Sequence, residues 1–203
     1  MGFFRKLFRW LFGSRKTEHS NSQSVKRATT PDIRASKRNA REEADILRDM
    51  KSLPSATVDY VQDGDSVIVS IGTKKTTVRL DSIDCPESDQ PWGSTAHAGL
   101  IKLIGGRLVR LEEHGFDDHG RTLATLYFLR IDRAEWVNVN ERMLLLGHAW
   151  VMNKYFDHLP KCRQDKLFRL QKWARSRKVG LWATTNPIPP WRWRSAKREL
   201  NQS

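Results

Sequence analysis

Three short runs of acidic and basic residues follow one another in a fixed order in the middle of the chain. They are Asp63-Gly64-Asp65-Ser66, then the run from Arg79 to Glu87, then Asp118-His119-Gly120-Arg121. Carboxylate oxygens bind hard divalent cations, a further carboxylate can activate water, and an arginine can pair with two phosphate oxygens at once. Together the runs contain the side chains that metal-assisted hydrolysis of a phosphodiester requires. Each run alone is more typical of a turn or a surface ion pair, so the prediction depends on all three occurring together.

The composition gives the chain a strong positive charge. Its 203 residues include 36 Lys and Arg against 23 Asp and Glu, a formal net charge of +13. These like charges repel one another, and a polyanion would relieve the repulsion. The predicted partners are therefore nucleic acid or an anionic membrane face, and no obligate protein partner is inferred. Two cysteines, Cys85 and Cys162, are too few for a disulfide framework.

The hydrophobic patterns predict a small barrel with interspersed helices. Alternating β-branched residues predict strands at 57–61, 66–71, 76–80, 107–112 and 123–129. Helical spacing predicts helices at 95–104, 139–146 and 159–178. Five strands and three helices in this order indicate an α+β fold, mainly β, with a five-stranded Greek-key barrel of the OB type.

The three runs closely resemble the motifs of the staphylococcal nuclease (thermonuclease) family. The family pattern is D-G-D-T, then R-L-x-x-I/V-D-x-P-E, then Y-G-R; here Ser66 and His119 stand at the Thr and Tyr positions. The resemblance covers about residues 54–185 and continues through Gly147-His148-Ala149 and Gly180-Leu181-Trp182. It implies the same barrel and a calcium-dependent endonuclease that cuts DNA, RNA or both and leaves 3′-phosphate ends.

The resemblance also implies which residues bind the metal and activate water. Asp65 and Asp84 match the carboxylate ligands of calcium, and the backbone carbonyl of Cys85 completes the ligands that the protein supplies. Calcium prefers oxygen, so ligation by the Cys85 thiol is not expected. Glu87 matches the residue that activates or positions the attacking water.

The predicted substrate contacts come from two arginines and two aromatic residues. Arg79 and Arg121 match the pair that binds the phosphate and stabilises its growing charge, with Arg121 nearest the leaving oxygen. His119, in place of the usual tyrosine, and Tyr155 are the predicted contacts to the nucleotide. The alternative to an enzyme is a non-catalytic OB module that binds nucleic acid. Glu87 and the two arginines favour the enzyme, because binding alone does not need that set.

The segment 1–13 combines an apolar stripe with basic charge. Apolar residues recur at helical spacing with basic residues between them: Phe3, Phe4, Leu7, Phe8, Leu11 and Phe12, with Arg5, Lys6 and Arg9. This pattern favours a helix that lies in a membrane interface, which would place the protein on the cytoplasmic face of a membrane. An atypical export signal and a helix docked on the domain are the alternatives. The basic residues interrupt the apolar run of about 7–15 residues that an export signal needs.

The remaining segments flank the predicted domain at 54–185. Residues 14–53 are polar and basic with few large apolar side chains, which predicts a flexible linker with a short helix near 41–50. Residues 186–203 form a tail rich in Pro, Trp and Arg, in which the prolines are expected to prevent a regular helix and the tryptophans to pack on the barrel. The six histidines are scattered, and none of their spacings is typical of zinc ligands.

Overall fold

Eight β-strands lie within residues 49–201, the part of the chain that the computed structural model describes, apart from the side chains of Asp49 and Tyr155. The strands are β1 (Ser55–Val61), β2 (Ser66–Ile71), β3 (Lys74–Leu80), β4 (Ile83–Asp84), β5 (Leu108–Phe116), β6 (Thr122–Arg130), β7 (Glu135–Asn138) and β8 (Trp150–Val151). The predicted membrane anchor at 1–13 and almost all of the predicted linker at 14–53 fall outside the described residues.

Five of these strands close into a barrel. The strand order is β3-β2-β1-β5-β6, and all of these neighbours are antiparallel. The barrel closes because β6 also pairs with β3, in parallel, with Val78 opposite Thr122 and Leu80 opposite Ala124. The predicted α+β fold with a five-stranded barrel of the OB type is confirmed. β7 extends the sheet beyond β6, while β4 and β8 form a separate two-stranded ladder.

The alternation of residue types explains which side of each strand is buried. Val67 and Val69 of β2, Val78 and Leu80 of β3 and Leu126 of β6 are fully buried. Successive side chains of a strand point to opposite faces, so this alternation directs one apolar row of each strand into the barrel. The apolar interior holds the ends of β2 and β3 in place, and the first two sequence runs lie at these ends.

Four α-helices accompany the barrel in the described residues, one more than predicted. They are α1 (Gly93–Ile104), α2 (Val139–Leu145), α3 (Lys161–Ser176) and α4 (Pro190–Leu200). The expectation that prolines prevent a regular helix in the tail is wrong, because Pro190 is the first residue of α4. Proline suits that position, since its missing N–H would have no partner within the helix. Of the helices at 49–201, none is both long and apolar enough to cross a membrane.

Helix α4 is fixed to the loop that follows β4. Gln90 Nε2 donates a hydrogen bond to the carbonyl of Ile188 at 2.6 Å, just before the helix. Two residues of α4 then contact one carboxylate: Lys197 Nζ lies 2.5 Å from Asp89 Oδ2, and Trp193 Nε1 lies 3.3 Å from Asp89 Oδ1. These contacts bring α4 to the end of the barrel where the acidic residues lie.

Candidate active site

A cleft of about 480 Å³ opens at one end of the barrel. Its lining includes every acidic and basic residue to which the sequence assigned catalysis or metal binding: Asp65, Arg79, Asp84, Glu87 and Arg121, with Cys85 and His119 beside them. The topology explains this convergence. β2 begins where β3 ends, with Ser66 opposite Arg79, and β6 begins beside β3 directly after Arg121. The three sequence runs therefore meet at one edge of the closed barrel.

The turn between β1 and β2 positions Asp65. Asp63 Oδ1 accepts a hydrogen bond from the backbone N–H of Asp65 at 2.9 Å, so Asp63 shapes the turn. Burial, and the nearby charge of Asp65, raise the pKa of Asp63 above its ordinary value. Asp65 Oδ2 accepts the backbone N–H of Cys85 at 2.8 Å, which links this turn to the loop after β4. Asp65 is itself buried at 7% exposure.

Arg79 connects the two carboxylates that the sequence assigned to calcium. Its Nη2 lies 2.7 Å from Asp84 Oδ1 and 3.6 Å from Asp65 Oδ2. Its Nη1 donates to the carbonyls of Leu80 and Ile83, at 3.1 and 3.0 Å. Burial acts to lower the pKa of Arg79, but the charges of Asp65 and Asp84 outweigh it, and the net pKa is raised. Arg79 therefore remains a cation that fixes the spacing between the two carboxylates.

Asp84 is a deeply buried carboxylate, 1% exposed. Burial raises its pKa, against the opposite effect of Arg194 and Arg79, while Asp65 raises it further. A buried carboxylate with a raised pKa is one whose charge is incompletely compensated by its surroundings. Asp84 therefore lies between two guanidinium groups that offset only part of the effect of its burial.

Arg194 of α4 enters the same cleft, and the sequence analysis did not identify it. Its Nη2 lies 2.8 Å from Asp84 Oδ2, and its Nη1 lies 2.5 Å from Glu87 Oε1 and 3.3 Å from Asp84 Oδ1. Burial acts to lower the pKa of Arg194, yet its hydrogen bonds to Asp84 and Glu87 raise it well above the ordinary value. Pro190 could have indicated that a helix begins before Arg194, but no local sequence signal places this arginine in the cleft.

Arg121 lines the same cleft and is held in place by the carboxylate of Asp117. Its Nε and Nη2 both lie 2.7 Å from Asp117 Oδ2, and its Nη1 donates to Ser66 Oγ at 3.3 Å. Burial acts to raise the pKa of Asp117, but its hydrogen bonds to Arg121 lower it overall. Gly120 has a φ of 74°, which glycine adopts without strain, and it allows the tight turn before Arg121. The Asp117 contacts fix the direction of the guanidinium.

The thiol of Cys85 is buried and hydrogen-bonded, which disfavours its use as a metal ligand. Its Sγ donates to the carbonyl of Gly64 at 3.1 Å, and burial, with the charges of Asp65 and Asp84, raises its pKa well above the ordinary value. A Cβ at Gly64 would lie 2.7 Å from Cys85 Cβ, so a side chain at 64 would displace this contact. A protonated, buried thiol is a poor ligand, and the donors offered here are oxygens.

The structure describes the side chain of only one of the two predicted nucleotide contacts. His119 is exposed at the rim of the cleft, where its backbone N–H donates to Asp117 Oδ1 at 2.9 Å. The backbone of Tyr155 belongs to a 3-10 turn at Asn153–Tyr155, and its side chain lies outside the described residues. Contact of either residue with a nucleotide stays a prediction.

Comparison with known proteins identifies similar chains from plants and bacteria. A staphylococcal-like nuclease, CAN1, of Arabidopsis thaliana is 38% identical over 131 residues, which is 63% of this chain and 36% of that protein. A micrococcal nuclease of Shigella flexneri is 33% identical over 141 residues, 68% of this chain and 79% of that protein. An endonuclease of Escherichia coli described as uncharacterized is 34% identical over 138 residues, 68% of this chain and 82% of that protein.

The extent of these matches differs between the two groups. The chain spans roughly a third of the length of the plant relatives but about four fifths of the bacterial ones. A family model described as "Staphylococcal nuclease homologue" matches residues 77–184, which run from β3 to just before α4. With a barrel of the type that the motifs implied and a family match over more than half of its length, the chain belongs to the staphylococcal nuclease homologue family.

Proposed function

We propose that the protein is a nuclease that hydrolyses phosphodiester bonds of DNA, RNA or both with the help of bound calcium. The observation that carries this proposal is the meeting of Asp65, Asp84 and Glu87 with Arg79 and Arg121 in one open cleft. A purely binding OB module needs basic and aromatic groups but not buried, paired carboxylates. The net charge of +13 supports a polyanionic substrate. The names of the nuclease relatives support the same class of activity.

The donor set of the cleft fits calcium. Asp65, Asp84 and the backbone carbonyl of Cys85 would hold it, all through oxygen, while the Cys85 thiol is occupied by Gly64. Calcium takes six to eight oxygen ligands, so water or phosphate oxygens would complete the shell. When bound, it supplies Lewis-acid polarisation of the phosphoryl group and charge that offsets the substrate's anionic oxygens.

The residues around the calcium ligands activate the water and bind the phosphate. Glu87, with side-chain exposure of 37%, accepts the proton of the attacking water at its carboxylate. Arg79 and Arg121 bind the phosphate oxygens and stabilise the charge that builds up on them. Planar guanidinium groups suit this role, because each can donate to two oxygens at once, and phosphate would exchange for part of their present contacts with Asp84 and Asp117. Attack that expels the 5′ oxygen would leave the 3′-phosphate ends that we propose.

Metal dependence is the direct test of this proposal. Purified protein should cut plasmid and single-stranded DNA and RNA when calcium is present and should lose this activity when calcium is chelated. End-labelling of the products should find 3′-phosphate and 5′-hydroxyl termini. Binding of nucleic acid without cleavage under any divalent cation would favour the non-catalytic module instead. Equal cleavage with and without chelator would refute the calcium assignment.

Replacing Arg194 by alanine should tighten calcium binding and lower the maximal rate. The guanidinium in contact with Asp84 repels a second cation, so its removal should strengthen calcium binding by roughly threefold to tenfold at this partly exposed position. Glu87 would lose the group that orients its carboxylate, which should reduce the rate at saturating calcium. Calorimetric titration without substrate measures the first effect, and turnover at saturating calcium the second.

Arg192→Ala provides the matched control, because Arg192 lies on the same helix, is exposed, and does not line the cleft. It should leave both quantities near their wild-type values. A calcium affinity unchanged by Arg194→Ala would show that the guanidinium does not compete with the metal.

We further propose that residues 1–12 attach the protein reversibly to an anionic membrane surface. The proposal rests on the apolar and basic pattern of that segment alone. Full-length protein should sediment with anionic vesicles at low salt, and a version lacking these residues should stay in solution. Equal sedimentation of the two would refute the attachment, and a mature cellular form that lacks the segment would favour the export signal.

A further inference from the structure

Asp81, His114 and His158 form a cluster of potential metal ligands that the sequence analysis did not anticipate. Asp81 directly follows β3, His114 belongs to β5, and His158 lies in the loop before α3. One nitrogen or oxygen atom from each lies within 4.8 Å of the corresponding atoms of the other two. The expectation that the histidines are scattered is therefore wrong for this pair, which the folded chain brings together with a carboxylate.

The carboxylate of this cluster is buried and firmly positioned. Asp81 is 2% exposed, and its Oδ2 accepts from Ser82 Oγ at 2.5 Å and lies 3.0 Å from His158 Nε2. Its backbone N–H donates to the carbonyl of Ala124 at 2.9 Å, and its own carbonyl accepts from Asn140 Nδ2 at 2.9 Å. A group held on both its side chain and its backbone keeps one orientation toward the two imidazoles.

A polar side chain also fixes the ring of His114. Its Nε2 lies 2.9 Å from Oγ1 of Thr125, a buried residue, which leaves Nδ1 as the nitrogen that can bind a metal. Metal-binding histidines commonly donate their other ring N–H to an oxygen, which fixes both tautomer and orientation. Thr125 is held in turn by Arg163, whose Nη2 donates to Oγ1 at 3.2 Å. The ring centroids of His114 and His158 are 4.8 Å apart.

We propose that Asp81, His114 and His158 bind a divalent transition metal of borderline softness, with Zn²⁺ as the representative ion. Two imidazole nitrogens and one carboxylate oxygen form a three-ligand set that zinc accepts together with one water molecule. Calcium does not suit this set, because it prefers a larger shell made of oxygens. The site therefore differs in ion class from the proposed calcium site formed by Asp65, Asp84 and the Cys85 carbonyl.

The three ligand atoms lie within 4.8 Å of one another, which is near the spacing that a bound ion requires. Zinc bonds of about 2.0–2.1 Å in a tetrahedral site place the ligand atoms about 3.3 Å apart. The Asp81–His158 separation of 3.0 Å is already close to that value. The His158 side chain is 34% exposed, so it can turn without disturbing the core, and it leaves an open side for water. The bound ion would join the end of β3 to β5 and to the loop before α3.

Direct binding measurements test this site independently of any nuclease activity. Full-length protein freed of metals by chelation is titrated with Zn²⁺ against a chromophoric chelator, in the presence of excess calcium. The expected result is one zinc ion per chain that calcium does not displace. His158→Ala and His114→Gln should each weaken that binding by about tenfold or more, since each removes a ligand. Co²⁺ in place of Zn²⁺ should give a visible absorption band that both variants lose.

His119→Ala serves as the control for adventitious binding, because His119 is an exposed histidine outside the cluster. It should bind zinc like the wild type. His158 is the decisive position, since its exposed side chain can be removed with little effect on folding, which a thermal melt without metal verifies. Wild-type zinc affinity in a folded His158→Ala protein, or no zinc binding by the wild type, would overturn the proposal.

Discussion

Glu87→Gln is expected to reduce turnover by about 10²-fold or more, the scale of a lost general base. Glutamine has the same shape and retains an oxygen that can accept from Arg194, so the loop after β4 should keep its conformation. It cannot accept a proton from water at neutral pH, and it also lacks the negative charge that pairs with Arg194. Single-turnover cleavage at saturating calcium measures the loss, while fluorescence anisotropy with a labelled oligonucleotide measures binding.

The separation of rate from binding makes this test specific. Calcium affinity and oligonucleotide affinity should stay close to wild type, because Glu87 is assigned to neither ligand. Glu135→Gln, at an exposed residue of β7 away from the cleft, should leave all three quantities unchanged. Wild-type turnover in Glu87→Gln would remove this carboxylate from the chemistry and leave its contact with Arg194 as its only role.

Arg79→Lys should lower turnover by about 10²-fold, although the charge is preserved. The Arg79 guanidinium makes contacts that diverge from two nitrogens, toward Asp84 and Asp65 on one side and toward two backbone carbonyls on the other. A single ammonium group cannot meet all of these directions and also bind phosphate. The spacing of the carboxylates should therefore relax, and the melting temperature should fall together with the rate.

Arg121→Lys should be compared with Arg79→Lys. Arg121 contacts Asp117 and Ser66 at the edge of the cleft and is more exposed than Arg79, so its replacement should reduce the rate with a smaller change in melting temperature. Arg130→Lys, in an exposed pair with Asp132, should alter neither. Wild-type rates in both cleft variants would mean that the two arginines only balance the nearby carboxylates.

The barrel was predictable because each strand carries its own periodic signal. The alternation in 66–71 predicts β2 as it is observed, and helical spacing places three helices within two residues of α1, α2 and α3. The signal fails where an element is short or irregular. β4 and β8 have two residues each, and β5 continues to Phe116 through a register shift near Gly115, where the apolar alternation stops.

The site residues that were predicted belong to motifs that recur at fixed positions in a family. The site residues that were missed belong to no such motif. Arg194 lies 110 residues from Asp84, and no local pattern relates an arginine on a late helix to a carboxylate on an early strand. The same reason applies to Asp81 and His158, which are 77 residues apart and meet only because α3 packs beside the barrel. Side-chain contacts of this range are decided by tertiary packing.

One positive charge of the cleft, that of Arg194, belongs to α4 and not to the barrel. Residues 184–186, between the last 3-10 turn and α4, are exposed, so a single peptide bond broken there would leave every barrel strand intact. Arg194 would then depend on non-covalent contacts of α4 alone to remain beside Asp84 and Glu87, among them its ion pairs and the packing of Trp191 on Trp150. A peptide carrying α4, added in trans to a barrel that ends before it, should therefore restore the intact protein's calcium affinity in a concentration-dependent way.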